Sequence, residues 1–507
     1  MRLPLAETIA AMSVRVRPCL LALLLAGLPS GVALAQWDTF HGDNQRTGQA
    51  AVNFPSGNLQ VLWKFTLGEH TWRYCKGASV WSASPVFGEV GGRTLVFIGA
   101  YDNNLYALEA VTGKVVWRFT TGCVINAAPV FAVVEGRPRV FVASTDRTFY
   151  CVDAATGSQL WAYETVPWTY TVGHSQPSSP LVTTLDGQQV VFIAFWNTDR
   201  RPVRAVQKGE LLAFRADRRE LLWRIQLSDS NLSTPSLLEV DGRAMLFLGS
   251  EDGQVRAVEA RTGKQVWAQV TGHAIVASPL ALKVAGQPVV YVGDWFGMVY
   301  CLSARDGRLL WSYKTGHAIN STAASAPVKG RPTIFIGSQD RSLHAIDARS
   351  SAGRWRFPTK KYIVSSPAIA AVEGKPAVFF SSLDNYLYAV DAATGSLVWR
   401  FQTGSMLWPY ETRGASLWSS PAVAEVAGVP LLAFGGHDGY LYAFTARPGA
   451  AAAPSKTGPT LHRPGAAVLL PPLVGLLFLL AGAMALLRYR KPQASADLPS
   501  SVTSDNQ

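Results

Sequence analysis

Cysteine, charge and helical patterning are all scarce in this sequence of 507 residues. The five cysteines include no adjacent pair and no C-x-x-C-H motif, which excludes a covalently attached haem. Charged residues make up only 16%, and although the net charge is +12, no long Lys/Arg block or nucleic-acid-binding motif occurs. We therefore predict no nucleic-acid partner. Helical periodicity is absent outside the two ends, which argues against a helical fold.

Apolar segments mark the two ends of the chain. Residues 1–35 combine a basic flank, an apolar run and small residues near the end, which predicts a secretory signal peptide. Residues 466–487 are uncharged and long enough to cross a bilayer, and basic residues follow at once. We predict a transmembrane helix there, preceded by a Pro/Ala/Gly-rich linker at 446–465 and followed by a short cytoplasmic tail at 488–507. A cleaved C-terminal sorting tail is the alternative.

One phrase recurs along the chain. The stretch LYAVDAATGSLVWRFQTG at 387–404 returns in similar form at 105–122, 255–272 and 299–316. A small residue followed by proline also recurs eight times and is predicted to mark the start of the first strand in each unit. Pro327 is the sixth of these prolines. From the fourth repeated tryptophan onward the step is constant at 44 residues. The repeated tryptophans are Trp63, Trp117, Trp161, Trp223, Trp267, Trp311, Trp355 and Trp399.

Each unit has the pattern of four short strands. Apolar stretches alternate with polar ones and are divided by turn pairs such as D-N and T-G. Four-stranded units of roughly 40 to 50 residues predict an all-β fold, an eight-bladed β-propeller over residues 36–445. The last unit stops without its tryptophan strand, and the first tryptophan strand, residues 59–65, precedes the first strand of any unit. We predict that the two complete one blade in a 3+1 closure.

The repeated tryptophans are predicted to be structural, because eight copies of a catalytic residue have no chemical use. A flat indole suits the wedge between neighbouring sheets, and its burial contributes about 4–6 kcal/mol per blade before entropy is counted. A T-G pair precedes four of the tryptophans, at 112–113, 156–157, 262–263 and 394–395, and Asp306-Gly307 takes its place in a fifth unit. Each supplies the positive φ of a tight turn.

The motif LYAVDAATGSLVWRF resembles the tryptophan-docking repeat of the PQQ-enzyme-repeat β-propellers. This family includes quinoprotein alcohol dehydrogenases and BamB-like outer-membrane assembly lipoproteins. The opening segment WDTFHGDNQRTGQ at 37–49 is also similar to the family, and the resemblance covers about residues 37–445. It implies the propeller fold, whereas the repeat itself is shared by enzymes and non-enzymes.

The resemblance also implies what a quinone enzyme would carry. The dehydrogenases of the family hold pyrroloquinoline quinone (PQQ) beneath a ring closed by two adjacent cysteines, with an Asp base and a calcium ion beside it. Cys75, Cys123, Cys151 and Cys301 include no such pair, so we expect no cofactor, with PQQ and calcium as the alternative. Cys151 and Cys301 replace alanines of other units and are predicted to be buried. Cys75 and Cys123 lie in loops of adjacent blades and could form a disulfide.

One repeated loop position raises the question of a metal site. Cys123, His273 and His317 are equivalent residues after the tryptophan strand, and His174 precedes its proline at a comparable distance. These residues belong to different blades around a ring roughly 10 Å or more wide, whereas zinc needs its ligands within about 2.3 Å. We therefore predict no metal.

A binding function is expected where the blades differ. Long loops at 68–85, 165–180 and 404–421 lead into first strands, and residues 195–211 enlarge one hairpin. Because strand direction alternates, all four segments are predicted to emerge on one face of the propeller. Turn arginines such as Arg139 are predicted on the opposite face, either in solvent or near anionic lipid. Aromatic residues and arginine are enriched at binding centres, and a plug of the channel is the alternative. The candidate residues are Trp72, Arg73, Tyr74, Trp168, Tyr170, His174, Arg200, Arg201, Trp408, Tyr410 and Arg413.

These observations predict an exported, membrane-anchored propeller that binds a protein and performs no chemistry. The likeness to BamB implies an envelope protein or an outer-membrane client as the partner. We expect a monomeric ring on the periplasmic or extracellular side of a single-pass membrane anchor. The inner membrane is favoured, because helical spans rarely reach the outer one. The alternatives are a quinone-dependent periplasmic oxidoreductase and a sensor of sugars or another small ligand.

Overall fold

The computed structural model describes residues 37–68, 83–165, 175–198, 207–228, 233–404, 419–436 and 438–446. These ranges contain strands, turns and bends and no α-helix. The chain divides into two units, Met1–Ala452 and Ala453–Gln507, and the second lies outside the described ranges. In the part of the chain that the structure describes, no helix is long and apolar enough to cross a membrane. The predicted signal peptide and transmembrane helix lie outside that part.

The described residues form eight sheets, numbered here as blades 1 to 8. Two strands come first, β1 (Gln49–Phe54) and β2 (Leu59–Thr66). Blade 1 holds β3 (Val86–Val90), β4 (Arg93–Gly99), β5 (Asn104–Glu109) and β6 (Val115–Thr120). Blade 2 holds β7 (Val130–Val134), β8 (Arg137–Ala143), β9 (Thr148–Asp153) and β10 (Gln159–Glu164). Blade 3 holds β11 (Ser175–Pro177), β12 (Leu181–Leu185), β13 (Gln188–Thr198), β14 (Gln207–Arg215) and β15 (Leu221–Ser228).

The remaining blades follow the same order. Blade 4 holds β16 (Ser236–Val240), β17 (Arg243–Gly249), β18 (Gln254–Glu259) and β19 (Gln265–Val270). Blade 5 holds β20 (Leu280–Val284), β21 (Gln287–Gly293), β22 (Met298–Ser303) and β23 (Leu309–Lys314). Blade 6 holds β24 (Ala324–Val328), β25 (Arg331–Ser338), β26 (Ser342–Asp347) and β27 (Gly353–Pro358). Blade 7 holds β28 (Ala368–Val372), β29 (Lys375–Ser382), β30 (Tyr386–Asp391) and β31 (Leu397–Gln402), and blade 8 holds β32 (Ala422–Val426), β33 (Val429–Gly435) and β34 (Tyr440–Ala446).

Each blade is an antiparallel meander of four main strands, called A to D in chain order. Strands B and C are almost wholly buried, while strand D alternates between exposed and partly buried residues, which places it at the perimeter. Blade 8 takes its strand D from the start of the chain: β2 pairs antiparallel with β34, with Leu59 opposite Ala446 and Thr66 opposite Tyr440. The eight-bladed ring and its 3+1 closure are therefore confirmed.

The repeated tryptophans join each blade to the next. The indole N–H of Trp117 donates to the carbonyl of Ala154, at the end of strand C in the following blade, at 2.9 Å. Gly157, at a φ of 74°, lies against this indole so closely that an added Cβ would stand 2.7 Å from a ring carbon. The glycine of the T-G pair is therefore required both for its φ and for docking. The same donor bond is made by Trp63, Trp223, Trp267 and Trp355, while Trp399 donates to the carbonyl of Leu59, at the start of strand D in blade 8.

Two junctions use a different donor. Arg139 donates to the carbonyl of Ala216 at 3.0 Å, which is the acceptor expected for the indole of Trp161. The buried indole nitrogen of Trp161 has no hydrogen-bond partner. Tyr291 donates to the carbonyl of Ala348 at 2.6 Å beside Trp311. The prediction that Arg139 is a solvated turn residue is therefore wrong: the side chain is 7% exposed because it replaces the indole as a donor between blades.

The proline marker is confirmed in seven units and wrong in one. In seven blades strand A begins directly after the proline, but in blade 6 strand A begins at Ala324, so Ala323 holds the marker position. Pro327 is the fourth residue of that strand. An innermost strand has one edge toward the channel, where a missing N–H breaks no ladder bond. The spacing of small-residue–proline pairs therefore predicts Pro327 as the start of this strand, whereas the strand begins at Ala324.

Candidate functional site

The predicted binding residues lie outside the described part of the chain. This applies to all eleven, Trp72, Arg73, Tyr74, Trp168, Tyr170, His174, Arg200, Arg201, Trp408, Tyr410 and Arg413, and also to Cys75. Their roles therefore stay predictions. Cys123 is described and is half-buried in the loop between blades 1 and 2. Cys151 and Cys301 lie in strand C as predicted, and burial raises the pKa of each thiol to about 12, so both are inert core residues.

The described residues do define the face on which those loops emerge, called here the loop face. It carries the D–A loops between blades and the B–C hairpins within them. Tyr362, in the loop from blade 6 to blade 7, accepts a hydrogen bond at 2.9 Å from the backbone N–H of Leu383, in the hairpin of blade 7. In blade 3, β11 pairs with the end of β13, so the long loop before Pro180 ends beside the enlarged hairpin.

In five blades a carboxylate holds the loop to its hairpin. Asp146, in the hairpin of blade 2, accepts the backbone N–H of Gly122 at 2.7 Å and the hydroxyl of Tyr150 at 2.8 Å. Burial and the nearby carboxylate raise the pKa of Tyr150, so its hydroxyl remains a donor. We call this arrangement the carboxylate latch. It recurs between Gly68 and Asp102, Gly316 and Asp340, Lys360 and Asp384, and Gly404 and Asp438.

The channel is filled by residues 37–48, called here the axial segment. As it circles the axis, its carbonyls accept hydrogen bonds from the second residue of strand A in six blades, at 2.6 to 3.0 Å. In blade 3 the side chain of Asn44 donates to the carbonyl of Val182 at 2.7 Å. The donors are Phe87, Phe131, Leu237, Ala281, Ser325 and Ile369. After the segment, β1 runs parallel to β28.

Two basic side chains of the axial segment are buried at its centre. The ring nitrogens of His41 lie 2.6 Å from the carbonyl of Arg46 and 2.7 Å from that of Pro367. The guanidinium of Arg46 donates to the carbonyl of Pro235 at 3.1 Å and to the hydroxyl of Thr39 at 2.9 Å. Burial lowers the pKa of His41 to about 4, although the two carbonyls oppose this effect. Burial therefore favours neutral His41, which can donate to only one of the two carbonyls, while Arg46 stays charged because its lowered pKa is still about 10.

A quinone does not fit at this level of the channel. A flat tricyclic ring would have to displace His41 and Arg46, which bind carbonyls directly before the first strands of blades 7 and 4. The described residues contain no group of three or more His, Cys, Asp or Glu side chains that could hold a metal ion. His273 and His317 do occupy equivalent loop positions, but each stacks on another ring, His273 on Phe296 and His317 on Tyr362.

The sequence indicates the axial segment only through its similarity to the opening segment of the PQQ-repeat family. Its signal was a polar run with two glycines, Gly42 and Gly48, and no strand alternation. An added Cβ on Gly48 would lie 2.7 Å from the His41 ring and from the carbonyl of Pro367. This close approach, which only glycine permits, could not be predicted from spacing because its partner lies 319 positions along the chain.

Fold and axis together define a tryptophan-docked, eight-bladed β-propeller whose channel is filled by its own N-terminal segment. A family model described as "Outer membrane protein assembly factor BamB" matches residues 50–195, 194–326 and 295–462. The chain belongs to this family of PQQ-like repeat propellers. A comparison with curated proteins found no match.

Solved structures with this fold include both enzymes and an assembly factor. A europium-containing methanol dehydrogenase is 15% identical with a TM-score of 0.61, covering 81% of this chain and 98% of its own. The quinohemoprotein alcohol dehydrogenase of Comamonas testosteroni is 14% identical with a TM-score of 0.59, covering 84% and 82%. BamB from Moraxella catarrhalis is 14% identical with a TM-score of 0.51, covering 76% and 100%. At these identities the likeness shows the fold alone.

Proposed function

We propose that this chain is an exported, membrane-anchored scaffold that binds a protein partner in the cell envelope and catalyses no reaction. The occupied axis carries the proposal. His41 and Arg46 are bonded inside the channel, so a partner has to bind an outer surface, and the loop face is the one that carries the long loops. Membership of the BamB family supports an envelope protein or an outer-membrane client as that partner. The apolar runs at 1–35 and 466–487 support export and a single helical anchor, in the inner membrane.

Crosslinking with mass spectrometry on native membranes tests this function. A triple variant with Trp72→Ala, Trp408→Ala and Arg413→Ala should lose most crosslinks to its main partner, because aromatic residues and arginine supply most of the binding energy at interfaces. The matched control removes exposed residues from the opposite face, Arg243→Ala and Lys283→Ala, and should keep those crosslinks. An unchanged partner set in the loop variant would contradict the proposed surface.

A quinone-dependent oxidoreductase is the second candidate, because two of the similar structures are alcohol dehydrogenases. Its test is uptake of PQQ and calcium by the full chain in detergent, followed by absorbance and by dye reduction with primary alcohols. The scaffold proposal predicts neither uptake nor reduction. Stoichiometric PQQ binding with alcohol-dependent dye reduction would replace it with the enzyme.

A further inference from the structure

The hairpin of blade 5 departs from the carboxylate latch. Asp294 forms the hairpin bond with Met298 that Ser144 forms with Thr148 in blade 2, so Phe296 holds the position of the latch residue Asp146. The carboxylate of Asp294, two residues before Phe296, accepts hydrogen bonds from the N–H of Met298 and the hydroxyl of Tyr300. The hairpin is therefore closed without Phe296, whose ring is 61% exposed. At this position the large apolar side chain of Phe296 replaces the carboxylate of other hairpins, and the hydrogen bonds of the hairpin do not use its ring.

Phe296 belongs to one of two ring stacks that lie on neighbouring loops of the loop face. His273 stacks on Phe296 with ring centroids 3.8 Å apart, and neighbouring Trp295 is 42% exposed. The next residue, Gly297, lies so close to the loop of blade 6 that an added Cβ would stand 2.3 Å from the carbonyl of His317. His317 in turn stacks on Tyr362 at 5.8 Å. We call these five ring residues, which link the loops entering blades 5, 6 and 7, the aromatic row.

The surroundings of the aromatic row are basic. Lys314 donates its ammonium group to the carbonyl of Phe296, and Lys360 and Lys361 are exposed directly before Tyr362. The carboxylates of the same hairpins are already engaged: Asp294 binds Tyr300, Asp340 binds His344, and Asp384 binds Tyr388. These carboxylates keep their charge but are buried or partly buried. The exposed charges of these three hairpins and their loops are therefore positive, those of the lysines among them, and they complement an anionic ligand.

We propose that the aromatic row is a docking site for an acidic, aromatic-containing segment of a partner protein. Exposed rings and cations together match the composition of protein-binding centres. Val270, at the end of β19 beside His273, is 63% exposed and adds aliphatic surface, which favours an apolar side chain over the ring of a sugar. This inference rests on the proposed binding function and adds the chemistry of the partner.

The test uses the full chain in detergent and a fluorescent peptide of Glu-Glu-Phe repeats. Binding is expected to weaken as salt rises, since exposed charges are screened. Peptides of Lys-Lys-Phe or Glu-Glu-Ser repeats should bind at least about tenfold more weakly, each lacking one of the two features. Equal binding of all three peptides would overturn the inference.

Variants locate the binding on the molecule. Phe296→Asp installs the side chain found in the other hairpins, so folding should be retained, and a thermal melt checks this. Phe296→Asp and the neutral Phe296→Asn should each raise the Kd for the Glu-Glu-Phe peptide about tenfold. The matched control Leu310→Asn removes an exposed residue from the opposite edge of the same blade and should leave the Kd unchanged. An unchanged Kd in both Phe296 variants would overturn the inference.

The remaining outcomes separate the two proposals. If partner crosslinks on native membranes depend on the long loops while both Phe296 variants keep full peptide affinity, the scaffold function stands and the aromatic row fails as a site. If no partner is crosslinked but the peptide binding depends on Phe296, the row stands and the scaffold function fails. Binding of heparin that depends on Phe296, with no binding of the acidic peptide, would overturn the inference in favour of an anionic polysaccharide.

Discussion

The indole N–H of Trp399 donates to the carbonyl of Leu59 at 3.0 Å and joins residues 340 positions apart. The five equivalent tryptophan bonds span only 37 or 47 positions. Leu59 begins β2, so this bond crosses the seam where the two ends of the propeller meet. Closure therefore depends on contacts between segments that are distant in sequence, and such contacts carry a large loop-closure entropy.

Removal of residues 36–66 should produce protein that aggregates. The deletion removes β2, which leaves β34 as an unpaired edge, and it removes the axial segment that binds the first strands of seven blades. Exposed strand edges template association. Size-exclusion chromatography with light scattering in detergent, beside the full chain, measures the outcome. A stable, ordered monomer would show that the seam does not hold the ring.

Two tryptophans should differ in the cost of replacing the indole by a benzene ring. Trp117→Phe loses packing and the 2.9 Å bond to Ala154, whereas Trp161→Phe loses packing only, because the indole nitrogen of Trp161 has no partner. We expect Trp117→Phe to be the more destabilising by about 1 kcal/mol, the net value of one hydrogen bond. Denaturant unfolding of both variants measures the difference, and equal losses would argue against the bond.

Two glycines with the same φ should respond differently to alanine. Gly157 and Gly136 both have a φ of 74°, but only Gly157 contacts an indole, that of Trp117, while Gly136 has open space. Gly136→Ala should cost about 1–2 kcal/mol for the left-handed backbone alone. Gly157→Ala should cost about 1–3 kcal/mol more because the docked ring must move. Comparable melting temperatures of the two variants would contradict this role.

Loss of one carboxylate latch should loosen one loop. Asp146→Ala removes the acceptor of the Gly122 N–H, and we expect the free energy of local opening at Gly122 to fall by about 1.5–3 kcal/mol, the range for bonds to charged groups. Hydrogen exchange with mass spectrometry measures it. Asp153→Ala, in a turn on the opposite face, is the control. Faster exchange at Gly122 in the control as well would mean that the latch acts through the whole blade.

His41 should make stability depend on pH. Burial lowers the pKa of the folded state from 6.5 to about 4, so the neutral form is favoured on folding. This contribution is complete above pH 6.5 and is lost as the pH falls through 4, by about 3 kcal/mol in total. Denaturant unfolding of the wild type should weaken over that range more steeply than that of His41→Gln, which cannot titrate. Parallel curves would show that His41 is not held neutral.

The repeat could be interpreted from sequence because each blade solves the same packing problem with local contacts. Trp117, Gly157 and their equivalents recur at fixed spacing, since the indole must reach the turn of the next blade. Spacing failed where a residue of the right type lay out of register, as at Pro327. It also failed at Arg139, where a turn residue became a donor to the next blade.

The candidate site was predicted less completely. The long loops can be predicted because they interrupt the repeat. Trp295 and Phe296 give no such signal, since Phe296 replaces the aspartate of other hairpins without changing the length of its unit. A comparison of side-chain type at each repeat position, rather than of length, would have found them. The stacks that turn them into a surface depend on His273 and His317 from other loops.

The sequence by itself determined the blade count, the docking role of the tryptophans and the pairing of residues 59–65 with the last unit, because strand periodicity and a fixed step express local packing directly. Only the tertiary structure decided that residues 37–48 fill the axis and that His41 is buried between carbonyls of distant segments. Those contacts bring together strands from seven blades, and no local pattern in a chain encodes which distant backbone groups a polar segment will meet.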